Sequence, residues 1–257
     1  MIVNQDTKIY FASDFHLGSD EGGNSRIREK RIMSWLEDVE KDATALYLLG
    51  DIFDYWFEYG QVVPKGYVGF LGSLYRIVSL GIPVYILTGN HDLWLSDYLT
   101  DQIGIKILHA PTVIQAGKKT IYLAHGDGLG PGDHTFKLTK AIFENSICQR
   151  LFSWIHPDLG ISIMKAFSRR SRNRQERRQQ PFNPISESAI IHSEQVLKEN
   201  DKIDFFIMGH RHIPVDHVLS NDRSRYINLG DWIRHFSFAI FEGENVELRF
   251  YKAFSDD

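Results

Sequence analysis

Between residues 8 and 92 the chain alternates short apolar runs with segments of helical periodicity, and that alternation restricts it to few folds. Ala45–Leu49 (ALYLL) is apolar throughout, with no polar residue at every second position. A strand with one wet face would alternate, so this run is expected to be buried on both faces of a sheet. Lys8–Ala12 and Val84–Leu87 are short, largely apolar runs that also read as strands. Between them, Ile32, Trp35, Leu36 and Val39 fall on one helical face after a cap at Asn24 or Ser25. Tyr67, Phe70, Leu71, Leu74 and Ile77 form a second stripe stopped by Gly81. Strand, helix, strand, helix, strand is the pattern of parallel βαβ units.

Beyond Asp101 the character changes. Lys106–Leu108, Thr112–Gln115 and Thr120–Ala124 read as strands, and so do Asp204–Met208, Val215–Leu219, Arg225–Leu229, Ser237–Phe241 and Val246–Tyr251. Two sheets packed face to face, with helices outside, accommodate them all. Residues 133–200 differ: the stretch reads as several helices, with the basic tract SRRSRNRQERRQQPFNP expected to be an exposed helix end followed by a mobile loop. The expected division is a core of residues 1–132 and 201–257 with a helical cap inserted at 133–200.

Each early strand stops at a polar residue able to bind a metal. Asp14 and His16 follow the first, Asp51 the second and Asn90 the third; His125 follows Thr120–Ala124, and His210 and His212 follow Asp204–Met208. Ligands placed at strand ends converge on one edge of an open α/β sheet. Asp14 and His16, one residue apart, are expected to point the same way from extended backbone, and so are His210 and His212, with Gly209 giving a tight turn. Asp51 is placed to bridge two ions, with Asn90 and His125 completing the second. Oxygen and imidazole donors without thiolate suit Mn²⁺, Fe²⁺ or Zn²⁺. Two such ions polarise a phosphoryl oxygen and activate water near neutral pH. An isolated D-x-H or H-x-H is usually a surface loop; the ordered set is what carries the inference.

Composition narrows the partners. In 257 residues there is one cysteine, Cys148, so no intrachain disulfide forms, and the net charge of −4 gives no global attraction to nucleic acid. The N-terminal segment lacks a basic region followed by a long apolar run, and no run approaches the ~20 apolar residues of a membrane span.

Taken in order, D-x-H, G-D, G-N-H-D, H-G-D and G-H-x-H resemble the calcineurin-like metallophosphoesterase superfamily. The resemblance implies an α/β fold built as a four-layer α/β/β/α sandwich. It also implies one ion on Asp14, His16, Asp51 and His212, and another on Asp51, Asn90, His125 and His210. His91 matches the histidine that protonates the leaving group or steadies the phosphate, with Asp92 orienting it. Asp127 and Asp231 are candidates to orient ligand histidines from behind.

GDIFDYWFEYG, HGDGLGPGD and the helical insertion look like the UDP-2,3-diacylglucosamine pyrophosphohydrolase family of lipid A biosynthesis. That resemblance implies a Mn²⁺-dependent cytoplasmic enzyme, peripheral on the inner membrane, which directs water at the α-phosphate of a lipid nucleotide and releases UMP and 2,3-diacylglucosamine 1-phosphate. It implies a cap that shelters acyl chains. Phe136, Leu138, Ile142, Phe143, Phe152, Trp154, Ile163, Met164 and Phe167 are available to line the cap or to form its small core. Asp133 and Phe136 match positions near the sugar. Among the basic residues, Arg169, Arg170, Ser171, Arg172 and Asn173 are the expected substrate contacts. The chain departs from many members of this narrower family, which carry Arg where it has His91. Another phosphodiesterase, a nuclease, or a scaffold that has lost catalysis are the alternatives; the apolar cap disfavours nucleic acid, and the intact ligand set disfavours a scaffold.

Overall fold

The structure is a computed structural model that describes residues 7–129, 141, 143, 145–178 and 181–252. Strand β1 (Lys8–Ala12) pairs in parallel with β2 (Ala45–Leu49), β2 with β3 (Val84–Leu87), and β3 with β4 (Lys106–Leu108). On the other side of β1, two later strands run antiparallel: β10 (Ser237–Glu242), then β11 (Asn245–Phe250). The second sheet has the order β5 (Thr112–Ala116), β6 (Lys119–Leu123), β7 (Phe205–Met208), β9 (Arg225–Leu229), β8 (Pro214–Val218). Its three middle strands β6, β7 and β9 are parallel.

The apolar runs bury both faces, as their lack of alternation requires. Ile9, Phe11, Tyr47, Leu49 and Leu87 of the first sheet pack against Ile121, Leu123, Phe205, Ile207, Ile227 and Leu229 of the second. The opposite faces point outward to helices. Tyr10, Leu46, Leu48 and Ile86 meet Ile32, Trp35 and Leu36 of α1 (Ser25–Val39) and Phe70, Leu74 and Ile77 of α2 (Val68–Ser79). Each such side chain taken wholly from water contributes about 1.5–3 kcal/mol. Asn24 starts α1 by accepting the Arg26 amide at 2.9 Å, one of the two caps the sequence offers. A short helix, α3 (Tyr98–Ile103), has too few periodic positions to be read from the sequence; Glu58 opens it by accepting the amides of Ser96 and Tyr98.

Two parts of the 133–200 stretch differ from expectation. Helix α6 (Ser188–Glu199) lays Ala189, Ile190 and Leu197 on Tyr122, Phe206, Met208 and Tyr226, so it forms the fourth layer of the α/β/β/α sandwich and covers the second sheet. The helix end expected in the basic tract reaches Arg178, and it is not wholly exposed: after α4 (Ser146–Phe152), α5 runs from Pro157 to Arg178 with Ser168 and Arg172 turned inward. Arg, Gln and Glu are good helix formers, so a helix nucleated at Pro157 propagates through them without an apolar stripe. Among the described residues no helix is long and apolar enough to cross a membrane.

Candidate dinuclear metal centre

Parallel strands end on the same side, so β1, β2 and β3 deliver the loops after them to one edge and β6 and β7 deliver theirs opposite. Backbone hydrogen bonds tie these loops together: the Asp14 amide donates to Gly50 O at 3.0 Å, His16 to Asp51 O at 2.9 Å, and Gly209 to His125 O at 2.8 Å. The seven expected ligands meet here. His16 Nε2 lies 3.3 Å from His212 Nε2 and 3.6 Å from Asp51 Oδ2. His212 Nε2 lies 3.3 Å from Asp14 Oδ1. On the other side of Asp51, His125 Nε2 is 3.4 Å from Oδ2 and 3.2 Å from Asn90 Oδ1, with the His210 ring 5.1 Å from that of His125. Asp51 therefore stands between two clusters, one with Asp14, His16 and His212, the other with Asn90, His125 and His210.

The local conformation is not the extended one expected. Asp14, His16, Asp51, His210 and His212 all take left-handed backbone, with φ of 55°, 45°, 54°, 67° and 56°. Each costs a non-glycine residue on the order of 1 kcal/mol or more, and such residues collect at functional sites. At Asp14 and His16 the reason is Phe15, whose fully buried ring packs edge-on against Trp35, Phe70 and Trp232. The chain must turn sharply on both sides to put Phe15 in the core and its neighbours at the edge. Gly209 does not supply a left-handed turn; it permits close approach. A Cβ there would lie 2.5 Å from Asp14 Oδ2, and the His210 amide donates to that same oxygen at 3.0 Å.

Electrostatics and tautomers fit the residues to cations. His125 Nδ1 faces Leu49 O at 2.8 Å and His212 Nδ1 faces Asp231 Oδ2 at 3.3 Å. Both partners only accept, so both rings carry hydrogen on Nδ1 and turn Nε2 inward, and loss of the Nε2 proton leaves there the lone pair that a metal needs. Burial disfavours the charged imidazole of His212, but Asp14 and Asp231 outweigh it and lift its pKa to about 10. Burial likewise works against charge on His125, and Asp51 overcomes it, holding the pKa well above the ordinary value. Burial wins at His16, which is pushed well below, and at His210, pushed to about 4 by burial and by His125. Without a cation, then, protons on His125 and His212 balance the buried carboxylates. Hard oxygen and borderline nitrogen donors with no thiolate match Mn²⁺, Fe²⁺ or Zn²⁺.

His91 sits beside the centre, 8% exposed to solvent, with its ring 4.9 Å from that of His16. Asp92 does not orient it. That carboxylate accepts the amides of Gly89 and Ile52, both at 2.7 Å, and so braces the loops after β3 and β2; burial and Asp51 raise its pKa to about 6. A sharp carboxylate-bearing turn, rather than a catalytic partner, explains the last letter of G-N-H-D. His91 Nδ1 faces Ser168 Oγ at 2.8 Å and Asp54 O at 3.3 Å. Ser168 is not among the residues that the motifs single out. Its signal is a polar residue on the inward face of α5, one turn before Arg172.

Of the expected substrate contacts, Asp133 and Phe136 lie outside the described residues, as does the Asn173 side chain. Arg169 and Arg170 are exposed and Ser171 is half-buried. Arg172 is committed to the core, pairing with Asp54 and, at 3.0 Å, with Glu21 Oε2. The cap aromatics divide. Phe152 packs on Phe57 and Trp94, and Phe143 on Trp94, with ring centres 4.8 Å apart in each case, while Trp154, Ile163 and Phe167 are exposed.

This fold and this donor set define a metal-dependent phosphoesterase. The chain belongs to the calcineurin-like phosphoesterases, whose profile matches residues 7–214. It is 36% identical over 255 residues to the UDP-2,3-diacylglucosamine hydrolase of Porphyromonas gingivalis, covering 94% of this chain and 97% of that one. The enzymes of the same name from Shewanella piezotolerans (24% identical; 94% and 97% covered) and Pectobacterium carotovorum (26% identical; 93% and 96% covered) are also similar along nearly their whole length.

Proposed function

We propose that the chain hydrolyses the diphosphate of UDP-2,3-diacylglucosamine, with water attacking the α-phosphate to give UMP and 2,3-diacylglucosamine 1-phosphate. The end-to-end similarity to the P. gingivalis hydrolase carries this reading, because it spans the inserted helices as well as the metallophosphoesterase core. In this reading Asp14, His16, Asp51 and His212 hold one divalent ion, and Asp51, Asn90, His125 and His210 hold the other, Mn²⁺ being the native choice. The pair would supply Lewis-acid charge at the phosphoryl oxygens and lower the pKa of water.

The chain's own residues then orient and exclude. Asp51 holds the two clusters together, and Asp231 and Leu49 O fix the inward tautomers of His212 and His125. His91 meets the bridging oxygen that leaves with the sugar phosphate. Helices α4 and α5 act as the cap of residues 133–200. Of the contacts proposed for the diphosphate, Arg169, Arg170 and Ser171 are the ones whose side chains are not tied up in the core, whereas Arg172 is engaged with Asp54 and Glu21; Asn173 for the diphosphate, and Asp133 and Phe136 for the sugar, stay proposals that lie outside the described side chains. The exposed Trp154, Ile163 and Phe167 suit acyl chains or the surface of the inner membrane, to which a cytoplasmic enzyme with a lipid substrate must come.

The test is turnover of UDP-2,3-diacylglucosamine with Mn²⁺ in ¹⁸O-labelled water. Label is expected in UMP. Label in the lipid product instead would move the attack to the β-phosphate. No turnover at metal saturation, with other diesters hydrolysed, would overturn the substrate.

A further inference from the structure

We infer that Ser168, carried on the cap helix α5, is a positioning residue for His91, so that the cap completes the reactive site as well as covering it. This rests on the reading that His91 acts on the leaving group. Ser168 is 4% exposed, Asp54 5% and His91 8%, so water does not compete for their polar atoms. The Ser168 hydroxyl donates to Asp54 Oδ1 at 2.8 Å. A serine has one hydroxyl hydrogen, and here it is used, so toward His91 the oxygen can only accept. The other neighbour of His91 Nδ1 is Asp54 O, also an acceptor. Nδ1 therefore carries hydrogen, and the ring's remaining nitrogen is the one that faces the reaction. Among the described residues Nε2 is buried with no hydrogen-bond partner, and His91 groups with His16 and Asp51 around the centre.

Arg172, one helical turn further on, secures the arrangement from the cap side. Its Nη1 donates to Ser168 Oγ at 2.6 Å and to Asp54, and its Nε pairs with Glu21 on the loop that follows His16. One face of α5 thus reaches both the loop after β1 and the loop after β2, and the histidine between them is held by a hydroxyl that the core does not own. The Asp54 carboxylate would not replace it, with Oδ1 3.8 Å from His91 Nδ1 and beyond hydrogen-bond distance, and the Asp54 carbonyl makes a longer contact, 3.3 Å against 2.8 Å to Ser168 Oγ. The serine fills that gap.

The experiment compares Ser168→Ala, Ser168→Thr and His91→Ala with the parent protein, using UDP-2,3-diacylglucosamine and, independently, bis(4-nitrophenyl) phosphate. Ser168→Ala is expected to lower kcat about 10–100-fold, with KM, metal content and melting temperature unchanged. Ser168→Thr, which keeps the hydroxyl, should recover most of the rate. In the Zn²⁺-loaded protein, ¹⁵N NMR of the histidine rings should show His91 as a single Nδ1–H tautomer that becomes mixed in Ser168→Ala. An unchanged tautomer overturns the inference, as does a rise in KM at constant kcat, which would make Ser168 a substrate contact. Equal loss in the Ala and Thr variants together with loss of metal would also overturn it. Full activity in His91→Ala removes the role of His91 and this inference with it; the lipid substrate then stands or falls on the ¹⁸O result.

Discussion

Gly209→Ala introduces one methyl group where β7 passes the end of β1, and the packing there determines its cost. The new Cβ would lie 2.4 Å from Ser13 Oγ, 2.5 Å from Asp14 Oδ2 and 2.7 Å from Ser13 Cβ. The Ser13 hydroxyl can rotate away, but its Cβ cannot, and carbon atoms rest no closer than about 3.5 Å, so the two loops must part by roughly 0.8 Å. Neither yields easily. Gly209 is held by its amide to His125 O at 2.8 Å and by Asn228 Nδ2 to its carbonyl at 2.6 Å, while Asp14 is held by the His210 amide. Overpacking of this kind costs about 1–3 kcal/mol. In a chain of this length that lowers the melting temperature by about 2–4 °C per kcal/mol. The separation falls between Asp14 and His212, so the ligand geometry opens and kcat drops about 100-fold, as ångström misplacements do. Differential scanning fluorimetry, metal content and hydrolysis of bis(4-nitrophenyl) phosphate read the three effects. Gly72→Ala is the control: it lies on the exposed face of α2 with nothing within 4 Å of its Cβ, and should stabilise by about 0.5–1 kcal/mol with activity intact. A Gly209→Ala protein with unchanged melting and kcat within about threefold of the parent would refute the close-approach reasoning.

The same geometry sets two further outcomes. Arg28 is 5% exposed and donates to the carbonyls of His16 at 2.8 Å, Glu21 at 2.7 Å and Ser19; Arg28→Met strands them and should cost about 2–4 kcal/mol in urea unfolding, with loss of activity. A stable, active variant would show that the loop after β1 holds itself. The raised pKa of His212 means that its ring carries a proton below about pH 10 in the metal-free protein, stabilising the fold fully below its unfolded pKa and losing that effect as pH rises through 10. Metal must expel that proton, so Mn²⁺ affinity should rise with pH by up to about tenfold per unit between pH 7 and 9, with proton release measurable by calorimetry in buffers of different ionisation enthalpy. A flat profile would contradict the Asp14–His212–Asp231 arrangement.

The sequence carried the fold where burial is symmetric. Ala45–Leu49, Val84–Leu87 and Lys8–Ala12 are strands with the bounds their apolar runs predict, because a residue buried on either face has no reason to be polar. The ligands were legible for a related reason: a polar residue ending such a run needs a use. What the sequence hid is set by partners far away in the chain. The left-handed turns at Asp14 and His16 depend on where Phe15 packs, the small residue at Gly209 on an approach to Ser13, and the hydrogen bonds of His91 on a serine 77 positions later. Asp92 looked catalytic from its neighbour, yet its carboxylate serves backbone amides that only the folded loops bring to it. Helix α6 has an ordinary apolar stripe, and only the sheet beneath it shows that it is the fourth layer.

The central claim is that Asp51 joins two ions in one centre, and metal stoichiometry tests it most directly. Mn²⁺-loaded protein should hold two ions per chain, with the electron paramagnetic resonance spectrum of a spin-coupled pair, and Asp51→Asn should lose the coupling and at least one ion. One isolated ion in the parent, or an unaltered coupled pair in Asp51→Asn, would contradict it.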